Sequence, residues 1–406
     1  MEEWKEYKLG DIAIIKGGKR LPKGVNLITT PNSHPYIRVR DLGINKYLEL
    51  DSTYEYVDDD TQKMISNYIV NTDDIIISIV GTIGLVAIIG KSLNQANLTE
   101  NCVKLVDIKR VDKEYLYYYL ISKYGKQEIT KGIVGAVQAK LPIKNIQAIS
   151  IIAPEENTQK RIASILKSLD DKIQNNRKIN ENLEQQAQAL FKSWFVDFEP
   201  FRDQPFVESE LGMIPEGWRV GNFIDIINIM PGGTPSTNVS NYWDNGNIPF
   251  FSPKDVNGVY CLKTEKSITE DGLNHCSSNL YPKNTIFVTA RGTVGKIALA
   301  GIPMAMNQSN YALVPKEGFN NYYIYLQTQT LVDILLKKAN GAVFSAITTK
   351  DFKEPVIIPN ESIINKFGII VKPLFDKILM TMIESHRLSQ LRDTLLPKLM
   401  SGEIKL

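Results

Sequence analysis

The hydrophobic and polar positions of the 406-residue chain change period twice, and in the same order each time. The first ~150 residues carry short apolar runs broken by glycine, proline and asparagine: YIRV, DIIISIVGTIGLVAII, NCVKLVDI and QAISIIAP. One tyrosine-rich stretch at helical spacing interrupts them. This pattern predicts a compact α+β head. Tyr117 to Tyr119, and later Tyr322 to Tyr325, lie among leucines at helical spacing, so they are expected in the core rather than as base-stacking platforms.

From about Asn157 the pattern becomes a heptad. An apolar seam runs through Ile162, Leu166, Leu169, Ile173, Leu183, Ala187, Leu190 and Trp194, with Asn176 and Asn180 at its two central positions. A shift of 205 residues gives a second seam: Phe367, Val371, Leu374, Ile378, Thr381, Ser385, Leu388, Arg392, Leu395 and Leu399. Both are apolar at the ends and polar in the middle. A 3.5-residue period sustained this long predicts a coiled coil, a rod of roughly 55 Å per helix. Antiparallel pairing sets Asn176 and Asn180 against Thr381 and Ser385. It also spares the short connection from Trp194 to Trp218 a return run along the rod. These four residues are the expected register-setting layer.

The heads repeat as well. PYIRVRDL (35–42) answers PFFSPKDV (249–256), DDIIISIVGTIG (73–84) answers NTIFVTARGTVG (284–295), and GAVQAKLPIKNI (135–146) answers GAVFSAITTKDF (341–352). Asn94-Gln95-Ala96-Asn97 reads as the counterpart of Asn307-Gln308-Ser309-Asn310. The expected architecture is an α+β tandem repeat with pseudo-twofold symmetry, its two similar heads separated by two long helices in an antiparallel coiled coil. The boundaries read as a first head at 1–155, a central helical repeat at 156–197, a linker at 198–217, a second head at 218–360 and a C-terminal helical repeat at 361–406.

Composition narrows the function by exclusion. Forty-seven basic against 45 acidic residues leave a net charge of +2, so bulk basicity offers no argument for nucleic-acid binding. Residues 1–155 hold 20 basic and 19 acidic side chains, and no other segment is a basic reservoir. Three scattered cysteines and three scattered histidines give neither a disulfide framework nor a metal-ligand spacing, and the His275-Cys276 pair reads as two loop residues. The charged N-terminus and the lack of a long apolar run point to a cytoplasmic protein with no membrane association. No Pro-Pro dipeptide and no GxGxxG occurs, and GTVGKIAL (292–299) lacks phosphate-loop spacing, so it reads as a tight turn.

The string SELGMIPEGW (209–218), the closing LRDTLLPKLMSGEI (391–404), the GTIG and GTVGK turns and the repeated head-plus-helix layout resemble specificity subunits of type I restriction–modification systems. That resemblance covers essentially the whole chain. It implies two target-recognition domains, each reading one half of a split double-stranded DNA target, with the coiled coil setting the spacer and docking two methyltransferase (modification) subunits. Restriction subunits, with translocase and nuclease activity, join through the complex. It also implies no catalytic residue, no metal and no cofactor in this chain, with S-adenosylmethionine, ATP and Mg belonging to partner subunits. Two other readings remain: a non-DNA structural adaptor joining two protein partners, and a self-contained modification or cleavage enzyme, against which the absent motifs speak.

Sequence readout needs forked donors and acceptors at base edges. In head one the candidates are Lys19, Arg20, Arg38, Arg40, Asn94, Gln95, Gln138, Lys140 and Lys144. In head two they are Thr234, Ser252, Lys254, Arg291, Asn307, Gln308, Ser345 and Lys350. Arg38 and Arg40 alternate with Ile37 and Val39, which predicts one solvent-facing side of a strand. Asn94-Gln95 has two readings, base contact or a cross-link between loops of its own head.

Overall fold

The computed structural model describes residues 4–43, 45–338 and 346–406. Contacts divide the chain into two units: residues 1–173 with 387–406, and residues 174–386. The first contains head one, the second head two.

Head one is built on a five-stranded sheet of β1 (Ile14–Gly17), β2 (Tyr47–Leu48), β3 (Ile75–Ser78), β4 (Val86–Ile89) and β5 (Cys102–Val106) in the order β1-β5-β3-β4-β2. Strands β3 and β4 are buried along their whole length, as their unbroken apolar runs predict. Their side chains alternate between two cores. Ile75, Ile77, Val86 and Ile88 face the tyrosine-rich helix α1 (Lys113–Ile121), where Tyr115 and Tyr118 are fully buried. Ile76, Ala87 and Ile89 face the other way, onto Ile37 and Leu98 of a three-stranded sheet (Pro35–Ile37, Glu55–Tyr56 and Asn97–Leu98). Each such isoleucine contributes about 1.5–3 kcal/mol by leaving water.

Head two repeats this plan with β6 (Ile227–Pro231), β7 (Tyr260–Cys261), β8 (Ile286–Thr289), β9 (Ile297–Ala300) and β10 (Asn310–Pro315) in the order β6-β10-β8-β9-β7. Its helix differs. In head one Ser122 ends α1 and caps α2 (Lys123–Gly132) by accepting the Gly125 N–H, so the helix breaks in two. In head two the corresponding helix α4 (Asn321–Lys338) runs on, and Thr330 instead bonds back to the Leu326 carbonyl.

Two 40-residue helices, α3 (Glu156–Phe195) and α5 (Glu361–Met400), supply the rest. Only α3 is free of proline; Pro373 and Pro397 lie inside α5 and the helix continues past both. In the first unit Ile162 and Leu166 share a core with Leu396, Leu399 and Met400, and Asp170 meets Arg392. In the second, Asn176 meets Thr381 and Ser385 while Phe191 and Phe195 meet Phe367. Rising numbers on one helix face falling numbers on the other, so the pairing is antiparallel in both units.

The seam departs from a strict heptad. Asp170, Phe191, Phe195, Phe375 and Leu396 are buried where the heptad selects Leu169, Leu190, Trp194, Leu374 and Leu395, which are half-buried. Near the helix ends the buried positions advance by four, as in 162, 166, 170 and 187, 191, 195. There each helix packs against a head as well as its partner. The buried stripe therefore follows the helical period of 3.6 rather than 3.5. Within residues 198–217, Phe206–Ser209 pairs with Gly212–Pro215 as a hairpin, and Phe201 stacks edge-on against Trp194 and Trp218.

Candidate nucleic-acid interface

One end of each head gathers its loops. In head one β3 runs into the turn Gly81–Gly84, and the 99–101 turn delivers Cys102 opposite Ser78. The loop from Gly18 leaves β1 beside it, since Gly18 N–H donates to Cys102 O at 3.0 Å and Lys19 N–H to Leu98 O at 2.8 Å. The chain after Pro35–Ile37 joins them, because Thr99 N–H donates to Ile37 O. A hairpin closed by two Val134–Lys140 hydrogen bonds bridges to Val80. Head two repeats the arrangement with loops after Pro231 and Phe251, the Gly292–Gly295 turn and the 307–309 turn, with Arg291 bridged to Ala346.

Two features fix these loops. In the GTIG and GTVG turns both glycines take positive φ, +78° and +86° in one head and +80° and +85° in the other. A hydroxyl at the end of the preceding strand holds each turn: Ser78 donates to Thr82 O at 2.6 Å, and Thr289 to Thr293 O. GTVGK is thus a bend between β8 and β9. A Cβ on Gly18 or Gly232 would stand 2.0 Å from the carbonyl oxygen of Thr99 or Asn307, so both loops require glycine for close approach.

Strand register sets the equivalence between heads, and it overturns one sequence match. Ile79 N–H donates to Asn101 O and Ala290 N–H to Ser309 O, both at 2.8 Å. The 99–101 turn therefore corresponds to 307–309. The resemblance of Asn94–Asn97 to Asn307–Asn310 is a coincidence of residue types five positions out of register. Asn97 pairs with Tyr36 as Ala305 pairs with Phe250. Asn94 and Gln95 lie at the opposite end of the sheet. Asn94 accepts the Thr72 N–H at 3.0 Å and Gln95 donates to Asn71 at 2.5 Å, which makes them loop cross-links.

Arg38 and Arg40 also sit differently from the expectation. The strand ends at Ile37, and Val39–Asp41 is a turn of 3-10 helix whose Asp41 carboxylate accepts the Arg38 N–H at 2.7 Å. Both guanidiniums converge on Glu55, Arg40 at 3.1 Å. Burial pushes the Asp41 carboxyl up to about 6 despite the Arg40 charge beside it. In head two Ser252 and Asp255 make the same turn at 2.7 Å, and Lys254 lies 3.7 Å from Glu265.

Of the remaining candidates, Lys19, Gln138, Lys140, Lys144, Arg291 and Lys350 are exposed. Gln138 and Lys140 belong to the protruding hairpin, whose tip residue Val137 is fully exposed. Ser345 lies outside the described residues. Arg20 Nε donates to Glu100 Oε1 at 2.7 Å, and Thr234 Oγ1 donates to Gln308 Oε1. Glu100 is absent from the sequence candidates. Aligning the strands CVKLV and NYALV, which sets Cys102 against Asn310, rather than the asparagine tetrapeptides, would have found it.

Beside the Gly81–Gly84 turn lies a cleft of about 1200 Å³ lined by Lys46, Lys123, Lys126, Lys131 and Arg392, with Asp393 the one carboxylate among the described lining residues. Among the described residues no cluster of three or more histidine, cysteine, aspartate or glutamate side chains could hold a metal ion, and no helix is long and apolar enough to cross a membrane. Cys102 and Cys261 are buried, which pushes both thiols up to about 12.

The profile of a family described as the type I restriction modification DNA specificity domain matches twice, over residues 1–185 and 215–391. The chain is 28% identical to the type I restriction enzyme MjaIX specificity subunit of Methanocaldococcus jannaschii, covering 100% of this chain and 94% of that one. It is 28% identical to the HindI specificity subunit of Haemophilus influenzae, covering 100% of both. The EcoR124I/EcoR124II specificity subunit of Escherichia coli is 35% identical over 136 residues, 32% of this chain and 34% of that one. In fold the chain is similar to the type I restriction-modification S subunit from M. genitalium, with a TM-score of 0.55 at 18% identity over 98% of this chain and 96% of that one. The chain belongs to the type I restriction modification DNA specificity family.

Proposed function

We propose that this member of the family is the non-catalytic DNA-specificity subunit of a type I restriction–modification complex, each head reading one half of a bipartite duplex target through its loop end. The observation that carries this reading is the pair of matching loop ends. The backbone frame is the same in both, while the side chains it presents differ: Arg20 against Thr234, Arg38 against Ser252 and Val80 against Arg291. A shared frame with divergent side chains suits two related but unequal base sequences. Positions alike in both heads, Arg40 with Lys254 and Lys144 with Lys350, suit phosphates.

The antiparallel helices set the spacer between half-sites and dock two modification subunits, and restriction subunits join through these. Near-zero net charge fits a subunit whose partners supply most of the phosphate neutralisation. The test is co-expression with the modification subunit of the same system, followed by sequencing of methylated sites in the host DNA. A single bipartite motif is the expected result. If the chain shifts no DNA with or without that subunit, the protein-adaptor reading replaces this one.

A further inference from the structure

We propose that Arg20 with Glu100, and Thr234 with Gln308, are equivalent base-reading positions, head one taking a guanine through Arg20 and head two an adenine through Gln308. The inference rests on the reading that the loop ends meet DNA. Its independent support is positional. Arg20 and Thr234 each stand two residues after the glycine that touches the neighbouring turn, Gly18 or Gly232. Glu100 and Gln308 each occupy the second position of that turn, as the 2.8 Å bonds to Asn101 and Ser309 fix. In both heads the two loops thus place one side chain against the other, though their residue types share nothing.

The chemistry of each pair selects a base. The Arg20 side chain is 80% exposed, and its Nε is held by Glu100 at 2.7 Å. Glu100 is anchored in turn by the Thr99 hydroxyl at 3.1 Å. The two terminal guanidinium nitrogens have no protein partner among the described residues. They form the planar two-donor fork that fits O6 and N7 of guanine. Glu100 is the positioning residue, because it removes the rotational freedom that a free arginine would lose on binding. In head two no charge stands at this place. The Thr234 hydroxyl fixes the Gln308 amide through Oε1 and leaves Nε2 as a donor beside an oxygen with a second lone pair. One donor next to one acceptor fits N7 and the N6 amino group of adenine.

The complex of the chain with its modification subunit, assayed by sequencing methylated sites, provides the test. Arg20→Lys keeps the charge and loses the fork. It is expected to relax preference for guanine at one position of one half-site by about tenfold or more, with the other half-site unchanged. Gln308→Ala should relax one adenine position in the other half-site. Arg20→Thr with Glu100→Gln should move the first position toward adenine. An exposed ion pair contributes little to stability, so melting temperatures should match wild type; where the double variant does not fold, Arg20→Lys and Gln308→Ala carry the test. Wild-type motifs from both of these variants would overturn the proposal, as would a loss from Arg20→Lys that is uniform across sequences. A wild-type complex that methylates no defined motif would instead overturn the reading beneath it.

Discussion

The place where the long helices enter each head is built from opposite chemistries. In head one a polar chain runs through it. Lys46 pairs with Glu114 and donates to the Tyr118 hydroxyl at 3.0 Å, Tyr118 donates to Asp170 at 2.6 Å, and Asp170 accepts from Arg392 at 2.6 Å. Burial pulls the Lys46 ammonium below the usual lysine range although Glu114 opposes it. In head two the same positions are Val259, Tyr322, Leu326, Phe375 and Ala187, all buried, with Tyr322 stacked on Phe375 at 4.7 Å. The equivalence of Lys46 and Val259 follows from backbone bonds: Lys46 O takes the Ile88 N–H as Val259 O takes that of Leu299, both at 2.8 Å. One architecture thus tolerates an ionic or an apolar joint. Backbone register fixes the joint, and side-chain chemistry need only be self-consistent within it.

The largest effects should come from leaving either joint half-made. Glu114→Ala strands a buried ammonium and should cost about 3–5 kcal/mol in denaturant unfolding. Phe375→Ala opens a cavity in the other head at about 3–5 kcal/mol. A loss below about 1 kcal/mol for Glu114→Ala would show that the ionic joint does not hold head one together.

Asp41 offers a pH test next in size. Its carboxyl titrates near 6 when folded, above its ordinary 3.8, so the proton is held more tightly in the folded state. The stability it adds is complete below the unfolded value and is lost as pH rises through the folded one. Asp41→Asn should therefore gain on wild type between pH 4 and pH 7, by about 2–3 kcal/mol, read from melts across that range. A constant difference would contradict the shift.

The polar layer between the helices comes third. Asn176 is fully buried and donates to Glu384 at 2.7 Å and to Ser385 at 3.2 Å, and Thr381 donates to Asn180. Changing Asn176, Asn180, Thr381 and Ser385 together to leucine should raise stability by about 1–2 kcal/mol and loosen register, detectable as mixed products of engineered cysteine cross-links. A single cross-linked product would deny the layer any role in register. Smallest of all should be the conversion of one joint into the other. Lys46→Val, Glu114→Tyr, Tyr118→Leu, Asp170→Phe and Arg392→Ala combined should stay within about 1 kcal/mol of wild type, although Glu114→Ala alone does not.

Much of this was legible in residue order. Fully buried β3 and β4 follow from unbroken apolar runs, the tyrosine helices are core as their spacing implies, and the heptads lead to two 40-residue helices. The candidate site was legible only as a set of loops. Arg38 and Arg40 turned out to clamp Glu55 from a 3-10 turn, because Asp41 caps the backbone there and ends the strand. Asn94 and Gln95 bind their own loops, and Glu100 was hidden because residue identity, not strand register, had set the alignment.

The sequence by itself determined the duplication, the element types and the family, because each is written in local periodicity or in strings of matching residues, and the short connection from Trp194 to Trp218 pointed to antiparallel helices. Only the tertiary structure decided which residues meet: Arg20 with Glu100, 80 positions apart, and Asp170 with Arg392, 222 apart. Side-chain period fixes the face on which a residue lies. The partner across that face depends on backbone hydrogen bonds between distant strands and helices, and a slip of a few residues, invisible in composition, changes every pair.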